Sequence, residues 1–205
     1  MSNIVDPLVR RIAARVRAER ERRRWTLAQL AEASGVSQAM ISRIEREESS
    51  PTAVVLGKLS AAFRLSVSSL LAGEGEGEGE GEGEGETATE TGAGRVRRQA
   101  DAAEWRDPET GYRRRQITTP RFPAEIAEIR LPPGAQVPYP AAAFAFIRQL
   151  VWVLDGRLTF HEGDLVHELH AGDTLELGEP APRTFVNNTG TECRYVVVLT
   201  RHQQP

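Results

Sequence analysis

Between Thr26 and Glu45 the chain reads TLAQLAEASGVSQAMISRIE, and several of its side chains are of types that recognise nucleobases. The carboxamide of Gln38 can present a donor and an acceptor together to an adenine edge, and the guanidinium of Arg43 can donate two parallel hydrogen bonds to guanine. Ala39 and Met40 offer apolar surface that suits a thymine methyl group. Thr26, Ser37 and Ser42 carry hydroxyls suited to phosphate oxygens, contacts that fix register without carrying sequence information. A merely solvated helix face also carries Gln and Arg, so the elements holding these residues decide between the two readings.

Those elements read as helices. From Pro7 to Arg24 the apolar residues Leu8, Ile12 and Val16 recur every four positions, and Pro7 suits a first helical turn. Thr26 suits the N-cap of a second helix with Leu27, Leu30 and Ala31 on one face. Gly35 breaks that run, and Ser37 can cap a third helix with Ile41 and Ile44 inward. Pro51 opens a fourth helix burying Leu56, Leu59 and Phe63, and a short fifth runs through Val67, Leu70 and Leu71. Two helices joined by a short Gly-containing turn form a helix-turn-helix unit, whose second helix sets its N-terminal residues at base edges in the major groove. With the arginine-rich helix upstream, Ser42-Arg43-Ile44-Glu45 and Ser50-Pro51-Thr52, residues 8–71 resemble the Cro and phage-repressor (XRE-like) helix-turn-helix family. The resemblance implies a five-helix, lambda-repressor-like domain and places Gln38, Ala39 and Arg43 on the groove-facing side.

The charge distribution agrees. The formal net charge is -3, but residues 1–71 carry +5, residues 72–94 carry -8, and the remainder balances to 0. Seven consecutive Gly-Glu pairs from Gly73 to Glu86 have no apolar surface to bury and repel one another, so residues 72–94 read as a flexible acidic linker. Such a tether spans roughly 25 Å and leaves the modules on either side uncoupled except through geometry or local concentration. Arg20, Arg22, Arg23 and Arg24 form a basic run, part of it suited to phosphate neutralisation and at least half of it to ordinary helix surface. Hydrophobic content of 40% and charged content of 27% fit a folded, soluble chain. No apolar run approaches a membrane span and no signal peptide is visible, so the cytoplasm is the expected compartment. The single cysteine, Cys193, has no disulfide partner within the chain and reads as a small core residue.

Beyond the linker the periodicity is that of strands. Ala124–Leu131, Leu150–Leu154, Arg157–Phe160, Thr174–Leu177, Arg183–Val186 and Arg194–Thr200 alternate or are β-branched, with turn residues between them. Asp155-Gly156 between two apolar runs predicts a hairpin. Many short strands without helices predict a sandwich or barrel, giving an α + β two-domain chain. Residues 105–201 resemble the cupin family, a double-stranded β-helix barrel. Its first motif reads G, five residues, H-x-H, then a glutamate, six residues and a glycine; here Gly134 is followed by Pro138, Tyr139 and Pro140 near the histidine pair, and Gln149 stands seven before Gly156. In its second motif, P-x-G-x-x-H-x-x-x-N, Pro180 and Asn187 match while Arg183 replaces the histidine.

Prolines have no ligating side-chain atoms, Gln149 is a weak neutral donor, and Arg183 would repel a cation. The barrel is therefore expected to bind no metal and no other cofactor, and the chain to be no enzyme. His161, His167, His170 and His202 lie outside the motif positions and read as surface or turn residues. Arg183 facing inward could receive a small, anionic effector beside Gln149, with Tyr139, Val151 and Phe185 as walls, or pair internally with an acid. Trp152 alternates away from that track, toward packing or a dimer contact. The whole implies a one-component regulator: a homodimer on double-stranded DNA at a palindromic operator, without membrane contact, whose barrel senses an effector, dimerises, or both. The alternatives are a cupin-type enzyme with an autoregulatory DNA-binding head, and a barrel serving only for dimerisation.

Overall fold

A computed structural model describes residues 7–71, 96, 98–99, 102–119 and 122–201. The Gly-Glu tract and the rest of the expected linker, 72–94, lie outside the described residues. Five helices come first: α1 (Pro7–Arg22), α2 (Leu27–Ser34), α3 (Gln38–Glu45), α4 (Ala53–Phe63) and α5 (Val67–Leu71). No helix among the described residues is long and apolar enough to cross a membrane.

Local chemistry sets these boundaries. Thr26 and Gln29 form a reciprocal capping box at the start of α2, where Thr26 Oγ1 accepts from the Gln29 amide and Gln29 Oε1 accepts from the Thr26 amide. Gly35 ends α2 at φ 65°, the left-handed region that favours glycine, and its amide donates to the Ala31 carbonyl at 2.9 Å. Ser37 and Thr52 cap α3 and α4 in the same way, accepting from Met40 and Val55. Leu8, Ile12, Val16, Leu30, Ile41, Ile44, Leu56, Leu59, Phe63 and Leu70 form the helical core, all buried.

Ten strands follow: β1 (Glu104–Arg106), β2 (Arg113–Gln116), β3 (Glu125–Leu131), β4 (Gln136–Tyr139), β5 (Ile147–Asp155), β6 (Arg157–Glu162), β7 (Leu165–His170), β8 (Thr174–Glu176), β9 (Arg183–Val186) and β10 (Cys193–Arg201). They form two antiparallel sheets, ordered β1-β2-β3-β10-β5-β8 and β4-β9-β6-β7. From β3 onward the chain crosses between the sheets at each step except the β6–β7 hairpin, which is a double-sheet jelly-roll arrangement. The chain is thus a helical domain followed by an all-β barrel.

Two sequence-based expectations change. Asp155-Gly156 does not close a hairpin, because β5 and β6 belong to different sheets. It is a corner, with Gly156 at φ 77° and an ideal Cβ there only 2.9 Å from the Glu192 carbonyl oxygen, so close backbone approach is what requires glycine. The two-residue hairpin is Gly163-Asp164, where Glu162 pairs with Leu165 across β6 and β7. Of the histidines read as surface or turn residues, His170 is exposed and His161 and His167 half-buried, all three on strands, and His202 lies outside the described residues. Cys193 is fully buried, and burial together with Asp155 and Glu192 pushes its thiol up to about 12, so it stays protonated in the core.

The larger change concerns the two domains. Tethering predicts independent modules, yet α4 and α5 rest directly on the barrel. Gly57 of α4 faces the Tyr139 ring, and α4 also packs on the 3-10 turn Ala141–Phe144. Along α5 the contact is polar: Arg114 Nη2 donates to Ser68 Oγ at 2.6 Å, and Ser69 Oγ donates to Glu125 Oε1 at 3.0 Å. Ser66 Oγ also donates to Glu125. Apolar residues of both domains belong to one continuous buried cluster.

Candidate nucleic-acid interface and barrel cavity

The exposed end of α3 gathers most of the residues singled out in the sequence. Ser37, Gln38, Ala39 and Arg43 are exposed, Met40 and Ser42 are half-buried, and Thr26 is exposed at the start of α2. Ile41 and Ile44 on the opposite side of α3 are buried, so the amphipathic spacing turns Gln38, Ala39 and Arg43 outward together. Arg43 Nη2 lies 3.8 Å from Met40 Sδ, a weak contact that keeps the guanidinium along the exposed face. Ser37 and Thr26 use their oxygens as cap acceptors, which leaves each hydroxyl hydrogen free to donate to a phosphate.

The basic run before Thr26 has other work. Arg20 grips Glu45 with two parallel hydrogen bonds, Nε to Oε1 at 2.7 Å and Nη2 to Oε2 at 2.9 Å, and donates from Nη1 to the Trp25 carbonyl at 3.0 Å. This bidentate clamp ties α1 to the last residue of α3 and fixes the angle at which α3 is presented. Arg22 donates to Glu19 at 2.6 Å, Arg15 pairs with the same carboxylate at 3.0 Å, and Arg23 bonds both Glu19 and the Phe63 carbonyl. Burial alone would raise the Glu19 carboxyl, but hydrogen bonds from Arg22 and Arg23 and the charge of Arg15 outweigh it and hold it below its ordinary value. Arg24 and Arg43 have no carboxylate partner among the described residues, which makes them the free cations of this surface.

In the barrel, the positions where cupin ligands are expected do not fit a metal. Pro138 is exposed, Gln149 is a neutral amide, and Arg183 is permanently cationic. No group of three or more His, Cys, Asp or Glu among the described residues is placed to hold a metal. His167 instead lies 3.7 Å from Glu162 and against the ring of Phe160.

Arg183 is not the open anion receptor that its replacement of a histidine suggests. Its Nε and Nη2 donate to Glu162 Oε1 at 2.9 and 2.6 Å, and Nη2 also reaches the Gly178 and Glu179 carbonyls at 2.8 and 3.0 Å. The guanidinium lies 4.4 Å above the Phe144 ring. Through Nε and Nη2 it holds the β8–β9 loop to β6. The internal pairing is the arrangement realised, since a buried guanidinium is costly without a partner and Glu162 lies across the register from it.

A cavity of about 50 Å³ does lie at this end of the barrel, beneath α4 and α5. Tyr139, Gln149 and Phe185 line it, whereas Val151 and Arg183 do not. Val151 is fully buried in the core. Lining residues that the sequence did not single out are Arg114, Tyr112 and Tyr195, with Ser60 and Ser66 from the head. Phe185 stacks on Tyr195 with ring centres 5.5 Å apart, and Tyr139 meets Phe185 edge-on at 6.0 Å, which gives the cavity an aromatic floor. Burial raises the phenols of Tyr139 and Tyr195 well above their ordinary values, so both are neutral donors near pH 7.

With an exposed recognition helix braced by an interhelical salt bridge, the head has the form of a helix-turn-helix domain, and comparison with known proteins agrees. Residues 16–70 match the model of the helix-turn-helix family HTH_3. The HTH-type transcriptional regulator SutR of Escherichia coli strain K12 is 38% identical over 68 residues, 33% of this chain. The chain spans 38% of that protein's length. An HTH_3 family transcriptional regulator from Vibrio cholerae has the same fold throughout, with a TM-score of 0.69 at 21% identity, covering 94% of this chain and 96% of that one.

Proposed function

We propose that the protein is a sequence-specific, DNA-binding transcriptional regulator in which a helical head, residues 8–71, reads the major groove and a barrel, residues 105–201, senses a small molecule and pairs two copies. The observation that carries this is the outward set Gln38, Ala39 and Arg43 on α3, held at a fixed angle by Arg20 and Glu45. Gln38 addresses an adenine, Arg43 a guanine, and Ala39 and Met40 a thymine methyl. Thr26, Ser37, Ser42 and Arg24 meet the phosphate backbone. The match to HTH_3 and the names of the Escherichia coli and Vibrio cholerae proteins support the same reading.

Catalysis has little support. The expected metal positions hold Pro138, Gln149 and an already engaged Arg183, so the barrel reads as a sensor working without a metal in the cytoplasm. Pairing is supported by Trp152, which is 45% exposed on the outer face of the six-stranded sheet, an apolar area that a second copy would cover.

Selection of binding sequences from a random duplex library, followed by anisotropy titration at several salt concentrations, tests the proposal. The expected product is a palindrome with half-sites about one helical turn apart, or a multiple of it, bound more weakly as salt rises. Recovery of no enriched sequence overturns it.

A further inference from the structure

Arg114 is a buried arginine without an ion-pair partner among the described residues. It sits in the run Arg113-Arg114-Arg115 on β2, and strand alternation sends it to the opposite face from its two neighbours. Arg113 donates to Glu192 at 2.6 Å and Arg115 pairs with Glu128. Arg114 points inward and is 6% exposed. Its hydrogen bonds go to Ser68 Oγ at 2.6 Å and the Tyr112 hydroxyl at 3.5 Å, and its buried Nε has no partner. No carboxylate among the described residues lies within ion-pair distance of it. Glu125 contributes from farther off and is itself held by Ser66 and Ser69. Burial disfavours the charge on Arg114, but the hydrogen bond to Tyr112 and the charge of Glu125 favour it, and the guanidinium is held above its ordinary value and remains cationic.

A buried guanidinium facing a cavity, with an unused N–H and neutral phenols alongside, is a half-built anion site. The cavity size bounds the ligand. About 50 Å³ holds roughly four water-sized groups, enough for a carboxylate on a short carbon stem. The aromatic floor of Phe185 and Tyr195 suits the stem, and Gln149 adds a polar contact at the side.

We propose that this cavity binds a small monocarboxylate through Arg114, and that the ligand clamps the head to the barrel, because Ser68 of α5 shares the same guanidinium and Ser60 and Ser66 form part of the wall. The inference rests on the reading of the barrel as a sensor and deepens it, since it names the ligand class and the route to the head. Occupancy would neutralise Arg114 and tighten the packing of α4 and α5, the elements that carry the recognition helix through the helical core.

The test uses the full chain without DNA, so that it stands apart from the DNA-binding reading, and the probes are propionate and its uncharged isostere propionamide. Propionate in large excess is expected to raise the Tm by about 2–4 °C and to slow hydrogen exchange in residues 57–71, while propionamide does neither. Arg114→Met removes the cation, and Ala143→Leu fills the cavity while keeping it; both should abolish the propionate response in a folded protein. An equal response to propionamide, or a propionate response that survives in both variants, overturns the proposal. So does the absence of any propionate response in the wild-type chain, and operator binding measured separately then shows whether the regulator reading still stands.

Discussion

The ring of Tyr139 occupies the space where a side chain at Gly57 would begin: an ideal Cβ on Gly57 would lie 2.3 Å from Tyr139 Cδ1 and 2.7 Å from Cε1. Helix α4 of the head therefore lies flush on the barrel because residue 57 has no side chain. A glycine inside a helix costs about 0.5–1 kcal/mol relative to alanine, so at an isolated helical position the substitution would stabilise.

Gly57→Ala is accordingly expected to lower the Tm. The overpacking it causes, about 1–3 kcal/mol, exceeds the helix propensity gained. Thermal unfolding of the single variant and of Gly57→Ala combined with Tyr139→Leu measures this, and the second change should recover much of the loss. A raised Tm in the single variant would show that α4 does not rest on Tyr139 in solution.

Arg43→Ala should cost about 1–3 kcal/mol of operator affinity and relax base choice at one position of each half-site. Anisotropy titrations against single-position operator variants report both effects. Uniform weakening across all variants would reassign Arg43 to the phosphate backbone.

Glu19 makes the head sensitive to acid. Its folded carboxyl is held below the ordinary value of 4.5, so its contribution is present above that value and disappears as pH falls through the folded value. Glu19→Gln is expected to destabilise the head by about 1–3 kcal/mol at pH 7, since Arg15, Arg22 and Arg23 lose a shared counter-ion. The gap between variant and wild type should close below about pH 4.5. Denaturant unfolding at a series of pH values reads it, and a gap that stays constant would refute the assignment.

Arg183 and Arg114 should behave oppositely on removal. Arg183→Met strands Glu162, whose side chain is 12% exposed, and is expected to cost about 3–5 kcal/mol. Arg114→Met deletes a cation that has no such partner and should be far milder. Chemical denaturation of the two variants side by side decides this. A larger loss for Arg114→Met would mean that its hydrogen bond to Ser68 dominates the domain contact.

The head was legible because its determinants are local. Thr26, Gly35 and Ser37 mark helix ends by interactions within four residues, and Ile41 and Ile44 define the inner face of α3 by spacing alone, whereas α4 begins at Ala53 with Thr52 as its cap rather than at Pro51. The strands that escaped notice are β1, β2, β4 and β7, and β2 (Arg113–Gln116) has no apolar residue among its four. Arg114 was hidden for that reason. Only pairing of β2 with β3 and closure of the barrel turn its side chain inward, and the run of three arginines is the single trace in the sequence.

By itself, then, the sequence determined a helix-turn-helix head with Gln38, Ala39 and Arg43 on its outer face, and a strand-rich body with Pro138, Gln149 and Arg183 at the cupin motif positions. Helix caps and short-range periodicity act between near neighbours and can be read along the chain. The tertiary structure alone decided that Arg183 is consumed by Glu162, that Arg114 faces the cavity without a counter-ion, and that the head docks on the barrel at Gly57 and Tyr139. Each depends on contact between segments from 21 to 82 residues apart, and such contacts arise only once sheets close and domains pack.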